Sequence, residues 1–382
     1  MLISRSDRGL LARWWFTVDL PLMFAVFLLM AIGVVFSLAG SPAVAERLGL
    51  DHFHFFIRQL IFMVPAVVIF IGMSFLDVRY VRRIGFYGFI VSLVLMVGAL
   101  FFGPEIKGAH RWLDLGFFNF QPSELAKPTF IIVASWLLAE GRRRPDMPGQ
   151  ILAWGAFAAL AGLLVLQPDF GQTVLVSLVW AVLLLVYGVA WKFILGLAGL
   201  AVVGAVFAYK TISHVASRVD RFLNPGEGTD NFQVDMARRA FENGGLFGTG
   251  PGGGAAKKSL PDAHTDFIFA VVGEEFGFLA CMVLIALVAF IVMRVLKFAM
   301  HENDSFVALA LTGLVSVFSF QAIINMAVNV SLLPAKGMTL PFISYGGSSL
   351  LTMSFAMGLV LALTRTRPVV RVQASHLQAQ LV

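Results

Sequence analysis

Charge is scarce in this sequence. Asp, Glu, Lys and Arg together make up 13% of the 382 residues, where a soluble chain carries about a quarter. That excludes a set of water-covered domains, although the length alone would suggest two or three. Cysteine is almost missing: Cys281 stands alone inside an apolar run. One cysteine excludes an intrachain disulfide and a thiolate metal cluster. No Ser-x-x-Lys occurs, which excludes a penicillin-binding serine site. No His-Glu-x-x-His occurs either, which removes the common zinc-protease motif. His52 and His54 flank Phe53, but two histidines make no metal site and read as interfacial. No internal repeat is visible.

Apolar residues fill the space that charge leaves, at 59% with a mean hydropathy of +0.86. Ten apolar runs stand out, at about 20–39, 55–76, 84–102, 123–139, 151–166, 172–189, 193–209, 267–293, 306–328 and 350–363. A run of roughly 20 apolar residues crosses a bilayer as a helix. The expected fold is therefore all-α, a polytopic membrane protein of about ten transmembrane helices. The first run lacks a small-residue cleavage site behind it and reads as a retained span. Before it, Leu10-Leu-Ala-Arg-Trp-Trp-Phe16 mixes apolar, aromatic and basic residues, as an interfacial anchor or a plain linker would.

The net charge of +6 does not point to nucleic acid, because most Lys and Arg flank apolar runs. Arg79, Arg82, Arg83, Arg142, Arg143, Arg144, Arg294, Lys297, Arg365, Arg367 and Arg371 fall on the side of the N-terminus. Arg47, Lys107, Arg111 and Lys336 fall opposite. The positive-inside rule then puts both termini in the cytoplasm. The segment 210–266, between spans 7 and 8, becomes a large periplasmic loop, and 367–382 a cytoplasmic tail. A transporter needs no such loop; an enzyme or a docking surface does. Within it, residues 231–242 carry apolar side chains at helical spacing, which fits a helix on the outer leaflet.

Five polar constellations interrupt the apolar background. Gln121, Glu124 and Lys127 recur every three residues behind Pro122, on one face of the fourth helix. They read as a lined cavity or as a self-neutralising pair. Arg111 and Trp112 lie just outside, suited to a phosphate and a sugar face. Gln321, Asn325 and Asn329 recur every four residues as one stripe, for hydrogen bonding between helices first and substrate lining second. Residues 333–349 are rich in Gly, Pro and Ser around Lys336, a broken segment whose N–H groups suit an anion or merely turn the chain. Gly244–Gly254 satisfies a dinucleotide spacing, but no strand precedes it, so it reads as a loop that lets backbone approach a ligand. Last, Asp266 ends the polar loop and meets Phe267, Ile268 and Phe269. A carboxylate at a helix mouth among apolar residues is either a base or a dipole-stabilised helix start. Glu274 and Glu275, deeper in the same run, read as structural.

Taken together these motifs resemble the SEDS family (shape, elongation, division, sporulation) of bacterial peptidoglycan glycosyltransferases. The carriers are Arg111-Trp112, Gln121-Pro-Ser-Glu124 with Lys127, Arg221 with Asn224-Pro225, His264-Thr-Asp-Phe-Ile-Phe269, Glu274-Glu275, Pro334-Ala-Lys-Gly337 and Ser344-Tyr-Gly-Gly-Ser348. The likeness covers essentially the whole chain, with residues 1–366 as the family's membrane domain. It is nearer the division-type than the elongation-type branch, and the 231–254 loop is similar to alphaproteobacterial members. The resemblance implies lipid II as substrate, polymerised into glycan on the outer face of the bacterial inner membrane, at the division septum. It implies Asp266 as general base. Arg111, Trp112, Gln121, Glu124, Lys127, Arg221 and Lys336 would be substrate-binding residues, with the cations Arg111, Lys127, Arg221 and Lys336 on the diphosphate. A divalent cation, Mg or Mn, would share that task. A class B penicillin-binding protein (an FtsI-like transpeptidase) and other divisome proteins are the implied partners, beside membrane lipids. A lipid II flippase and an elongation-type polymerase are the alternatives.

Overall fold

A computed structural model describes residues 9–106, 108–116, 118–211, 216, 220, 232–260, 262–334 and 337–365. Arg221, Lys336 and the 367–382 tail lie outside the described residues. The chain folds into helices α1 (Leu10–Trp15), α2 (Leu20–Arg47), α3 (His54–Ser74), α4 (Val78–Phe102), α5 (Pro122–Arg143) and α6 (Gly149–Leu166). After them come α7 (Phe170–Tyr187), α8 (Trp191–Thr211), α9 (Phe232–Gly244), α10 (Ile268–His301), α11 (Ser305–Asn329) and α12 (Gly347–Thr364). A short hairpin, β1 (Leu113–Asp114) with β2 (Asn119–Phe120), sits between α4 and α5.

Ten of these helices, among the described residues, have 18 residues or more, and they coincide with the ten apolar runs. Among the described residues, eight of them are long and apolar enough to cross a membrane. α5 is less apolar because its first turns carry Glu124 and Lys127. Helix starts follow ordinary capping chemistry. Asp19 accepts from the Leu22 N–H at 2.8 Å before α2, and Asp304 accepts from the Phe306 N–H at 2.9 Å before α11.

The bundle is built around α11 and α12, buried along most of their length. α11 packs against α5, α7, α10 and α12; α12 packs against α3. α1 is tied to the bundle rather than only resting on lipid. Its Trp14 stacks on Phe75 and donates its indole N–H to Ser74 Oγ at 2.9 Å, while Leu10 and Leu11 stay exposed.

α10 departs from its sequence reading. At 34 residues it is about 51 Å long, far more than a bilayer core of ~30 Å. It resolves this by breaking at Gly277, where φ is +78°. A buried half-helix, 268–276, precedes a full span, 278–301. A break frees backbone groups that lipid cannot satisfy, and here the glycine-rich loop satisfies them. The Phe278 and Leu279 N–H groups donate to the Gly245 and Leu246 carbonyls, at 2.9 and 3.2 Å. Thr249 and Gly250 N–H donate to the Glu274 and Glu275 carbonyls, at 2.9 and 3.0 Å. So the backbone approached by this loop is the chain's own. A Cβ on Gly277 would lie 2.4 Å from Gly248 N, which no side chain could accommodate.

α9 forms where the apolar spacing places a helix, but its apolar face has another target. Met236, Ala237 and Ala240 are buried, and Phe241 meets the Phe269 ring at 5.7 Å. The helix lies on α10, so its moment is spent on protein instead of the lipid leaflet.

Candidate active site

Asp266 sits two residues before Ile268, where the half-helix of α10 begins, and is half-buried. Its backbone is fixed by the polar stripe of α11. The carbonyl of Asp266 accepts from Asn325 Nδ2 at 2.9 Å and from Asn329 Nδ2 at 2.8 Å. Asn325 Nδ2 also reaches the Met338 carbonyl at 2.6 Å. Beside Met338, Gly337 runs so close that a Cβ there would lie 3.7 Å from Asp266 Oδ2. The broken segment after α11 therefore forms one wall at the carboxylate. That segment is itself buried: Met338, Leu340, Phe342 and Ile343 are inside, and the Phe342 carbonyl presses on Gly33 of α2.

Two residues before Asp266, the His264 ring joins an aromatic cluster with Phe55 and Tyr345, at centroid distances of 4.2 and 5.5 Å, and those two rings are 5.2 Å apart. The Tyr345 N–H donates to the His264 carbonyl at 2.9 Å. Burial brings the His264 imidazole down to about 4; the Arg47 charge acts in the same direction and Asp262 opposes it. His264 is thus neutral at pH 7.

Behind this mouth runs a buried polar network. Lys127 is 2% exposed, and its ammonium donates to Glu124 Oε1 at 2.9 Å, Gln172 Oε1 at 3.0 Å and Gln321 Oε1 at 3.2 Å. An ammonium has three donors, so all are engaged with protein oxygens. Gln172 Nε2 returns to Glu124 Oε1 at 2.9 Å. Gln321 Nε2 continues to the Thr339 carbonyl at 3.2 Å and to Ser349 Oγ at 3.4 Å. Gln121 joins from the other end, with its N–H on Ser348 Oγ at 3.1 Å and its Nε2 on Asp169 Oδ2 at 3.4 Å. Buried charge persists only when paired and hydrogen-bonded in this way. The network ties α5, α7 and α11 to the segment that walls Asp266.

Arg111 stands at the outer end of that network. Its Nε and Nη2 donate to the Gln167 and Pro168 carbonyls, at 3.0 and 2.5 Å. A guanidinium has five donors, so others remain for an anion. Trp112 beside it is half-buried at the root of the hairpin. Glu274 and Glu275 serve the fold. Glu274 accepts the N–H groups of Ala255, Ala256 and Lys257 at 2.9, 2.8 and 3.0 Å. Glu275 is paired with Lys257, both buried.

The structure thus brings Asp266, Asn325, Asn329 and the 337–339 segment together at one mouth. It links Gln121, Glu124, Lys127 and Gln321 behind it and leaves Arg111 and Trp112 at the rim. Sequence reading missed Asp169, Gln172 and Lys257. Asp169 and Gln172 flank Phe170-Gly171 at the start of an apolar run, a signal that was available; Lys257 has none, because its partner is 18 residues away. Among the described residues no group of three or more His, Cys, Asp or Glu side chains is placed to hold a metal ion.

Known proteins place this architecture. A model of the FtsW/RodA/SpoVE cell cycle proteins matches residues 20–368. The probable peptidoglycan glycosyltransferase FtsW of Caulobacter vibrioides is 43% identical over 366 residues, covering 96% of this chain and 94% of that one. The probable peptidoglycan glycosyltransferase FtsW of Trichlorobacter lovleyi is 36% identical, over 90% and 92% of the two chains. The solved Thermus thermophilus rod shape determining protein RodA superimposes with a TM-score of 0.69 at 28% identity, over 93% of this chain and 99% of that one. A chain in a structure described as the structural coordination of polymerization and crosslinking by a peptidoglycan synthase complex gives a TM-score of 0.76 at 28% identity, over 92% and 98%. With its ten long helices, its broken α10 and a family match over nearly its full length, this chain belongs to the FtsW/RodA/SpoVE family of cell cycle proteins.

Proposed function

We propose that this protein is a peptidoglycan glycosyltransferase that polymerises lipid II, with Asp266 as the general base. The observation that carries the reading is the fixing of Asp266. A single carboxylate, half-buried at a helix mouth, is held by two buried asparagines and walled by the Met338 segment. An idle ion is a costly occupant for such a place.

In the proposed reaction a sugar hydroxyl of one lipid-linked disaccharide attacks the anomeric carbon of another. The new C–O bond forms as the bond from that carbon to the diphosphate oxygen breaks. The hydroxyl proton passes to Asp266, and the electron pair leaves with undecaprenyl diphosphate. Diphosphate is a good leaving group, so one base suffices without the paired carboxylates of glycosidases. Arg111, with guanidinium donors to spare, and Arg221 and Lys336 are the proposed diphosphate ligands. Trp112 is proposed to face a sugar. Lys127, Glu124 and Gln121 support the site from behind, since the Lys127 donors are all engaged. Among the described residues no cluster of His, Cys, Asp or Glu would hold a divalent cation; Mg or Mn, if bound, would supply charge neutralisation to the leaving diphosphate.

Division-type relatives at up to 43% identity favour a role in septal synthesis over elongation. In this reading the active site faces the periplasm and both termini face the cytoplasm, which the positive-inside bias of the basic flanks supports. The chain lacks a transpeptidase serine motif, so crosslinking falls to a class B penicillin-binding protein. The synthase complex that this chain resembles is described as joining polymerization with crosslinking.

The test is polymerisation of lipid II by the purified protein in detergent or vesicles. The parent yields glycan polymer and Asp266→Asn yields none. Polymer at the parent's rate from Asp266→Asn would remove the base. Lipid II crossing vesicle bilayers with no polymer formed would favour the flippase instead.

A further inference from the structure

The contacts of α11 reach past the packing of two helices. In a regular helix the carbonyl of residue 266 would accept the N–H of residue 270. Here the side-chain amide of Asn329 stands between them. Its Nδ2 donates to the Asp266 carbonyl at 2.8 Å and its Oδ1 accepts from the Ala270 N–H at 3.0 Å. The carboxamide bridges the 266–270 pair while the Ala270 N–H also reaches the Phe267 carbonyl at 3.1 Å, and α10 begins only at Ile268 with Asp266 outside it. One helical turn earlier, Asn325 holds the same carbonyl at 2.9 Å and the Met338 carbonyl at 2.6 Å. Both asparagines are essentially inaccessible, at 1% and 0% exposure. They share a face of α11 because they are four residues apart.

We infer that Asn325 and Asn329 are positioning residues that set the Asp266 carboxylate against the 337–339 segment, an inference that rests on Asp266 being the base. Neither touches the carboxylate; both act through its backbone. The residue type is specific. The bridge needs one donor and one acceptor on a short planar group, which Asn supplies; Asp lacks the donor, and Leu of similar shape lacks both. The wall residue Gly337 lies in the same segment as Lys336, one residue from the carbonyl that Asn325 grips. Loosening Asn325 therefore changes the spacing between base and wall. Loosening Asn329 lets Asp266 join the helix and turns its carboxylate away. A displacement of ~1 Å in a reacting group costs on the order of 10²-fold in rate.

The experiment compares kcat and KM for lipid II polymerisation by Asn329→Leu, Asn329→Asp and Asn325→Ser, each with its melting temperature. Asp266→Asn runs beside them, and Arg294→Ala, at the opposite end of the bundle, serves as a destabilised control. The expected result is a fall in kcat of about 30- to 100-fold in the asparagine variants, with KM within about threefold of the parent. Arg294→Ala should keep its kcat at a comparable loss of melting temperature. An unchanged kcat in a folded Asn329 or Asn325 variant, with Asp266→Asn inactive, overturns the positioning role alone. So does a rate loss that Arg294→Ala matches at equal stability. Should Asp266→Asn polymerise normally, the base itself falls and this inference with it. If one asparagine variant does not fold, the other two decide.

Discussion

Replacing Lys257 with Met should destabilise this protein far more than a loop lysine has any right to. Lys257 lies in the turn after the glycine-rich loop, yet its side chain is 6% exposed and that of its partner Glu275 is 0% exposed. The ammonium donates to Glu275 Oε1 and to the Ala39 carbonyl of α2. The other carboxylate oxygen, Glu275 Oε2, has no hydrogen-bond partner among the described residues. Lys257→Met would therefore strand a buried carboxylate. Breaking such a pair from one side costs about 3–5 kcal/mol, whereas replacing both partners with apolar side chains is often neutral. For a chain of this size ~2 °C per kcal/mol is the lower end of the usual conversion, so the melting temperature should fall by about 6–10 °C. The assay is thermal unfolding in detergent micelles, followed by intrinsic tryptophan fluorescence. The double variant Lys257→Met/Glu275→Met should recover most of the loss. A single variant within ~2 °C of the parent, or a double variant as unstable as the single, would refute the view that charge burial governs this site.

Two further outcomes follow from the same loop and mouth. Gly277→Ala should destabilise by several kcal/mol, because φ is +78° there and the added Cβ meets Gly248 N at 2.4 Å; a melting temperature equal to the parent's would mean that the break in α10 is not needed. The burial of His264 gives a pH dependence. Its pKa is about 4 folded and ~6.5 unfolded, so the unfolded state binds the extra proton between these values. The stability carried by the neutral ring is complete above pH ~6.5 and is lost as the pH falls towards 4, by about 3 kcal/mol in all. His264→Phe should flatten the melting temperature across that window, and an unchanged slope would assign the effect to another group.

Much of the architecture was legible one residue at a time. Ten apolar runs became ten long helices because, in lipid, each span must satisfy its own backbone, and a helix does so locally. The Gln321-Asn325-Asn329 stripe and the Gln121-Glu124-Lys127 face were visible for the same reason: helical spacing is a property of neighbours in sequence. The amphipathic pattern at 232–241 identified α9, but spacing says only that one face is apolar. Whether lipid or protein covers that face is not encoded in it, and α10 proved to be the cover.

The sequence by itself determined the membrane class, the positions of the long apolar helices, the family motifs and the place of Asp266 at the end of the polar loop. Only the tertiary structure decided that Lys127 is spent on Glu124, Gln172 and Gln321, that Lys257 seals Glu275, and that Asn329 bridges the turn behind Asp266. Apart from the Lys127–Glu124 pair, which is three residues apart on α5, each of those depends on groups 18 to 194 positions apart meeting across the bundle. Local patterning specifies which face a side chain occupies. Packing of the whole bundle specifies which partner waits there.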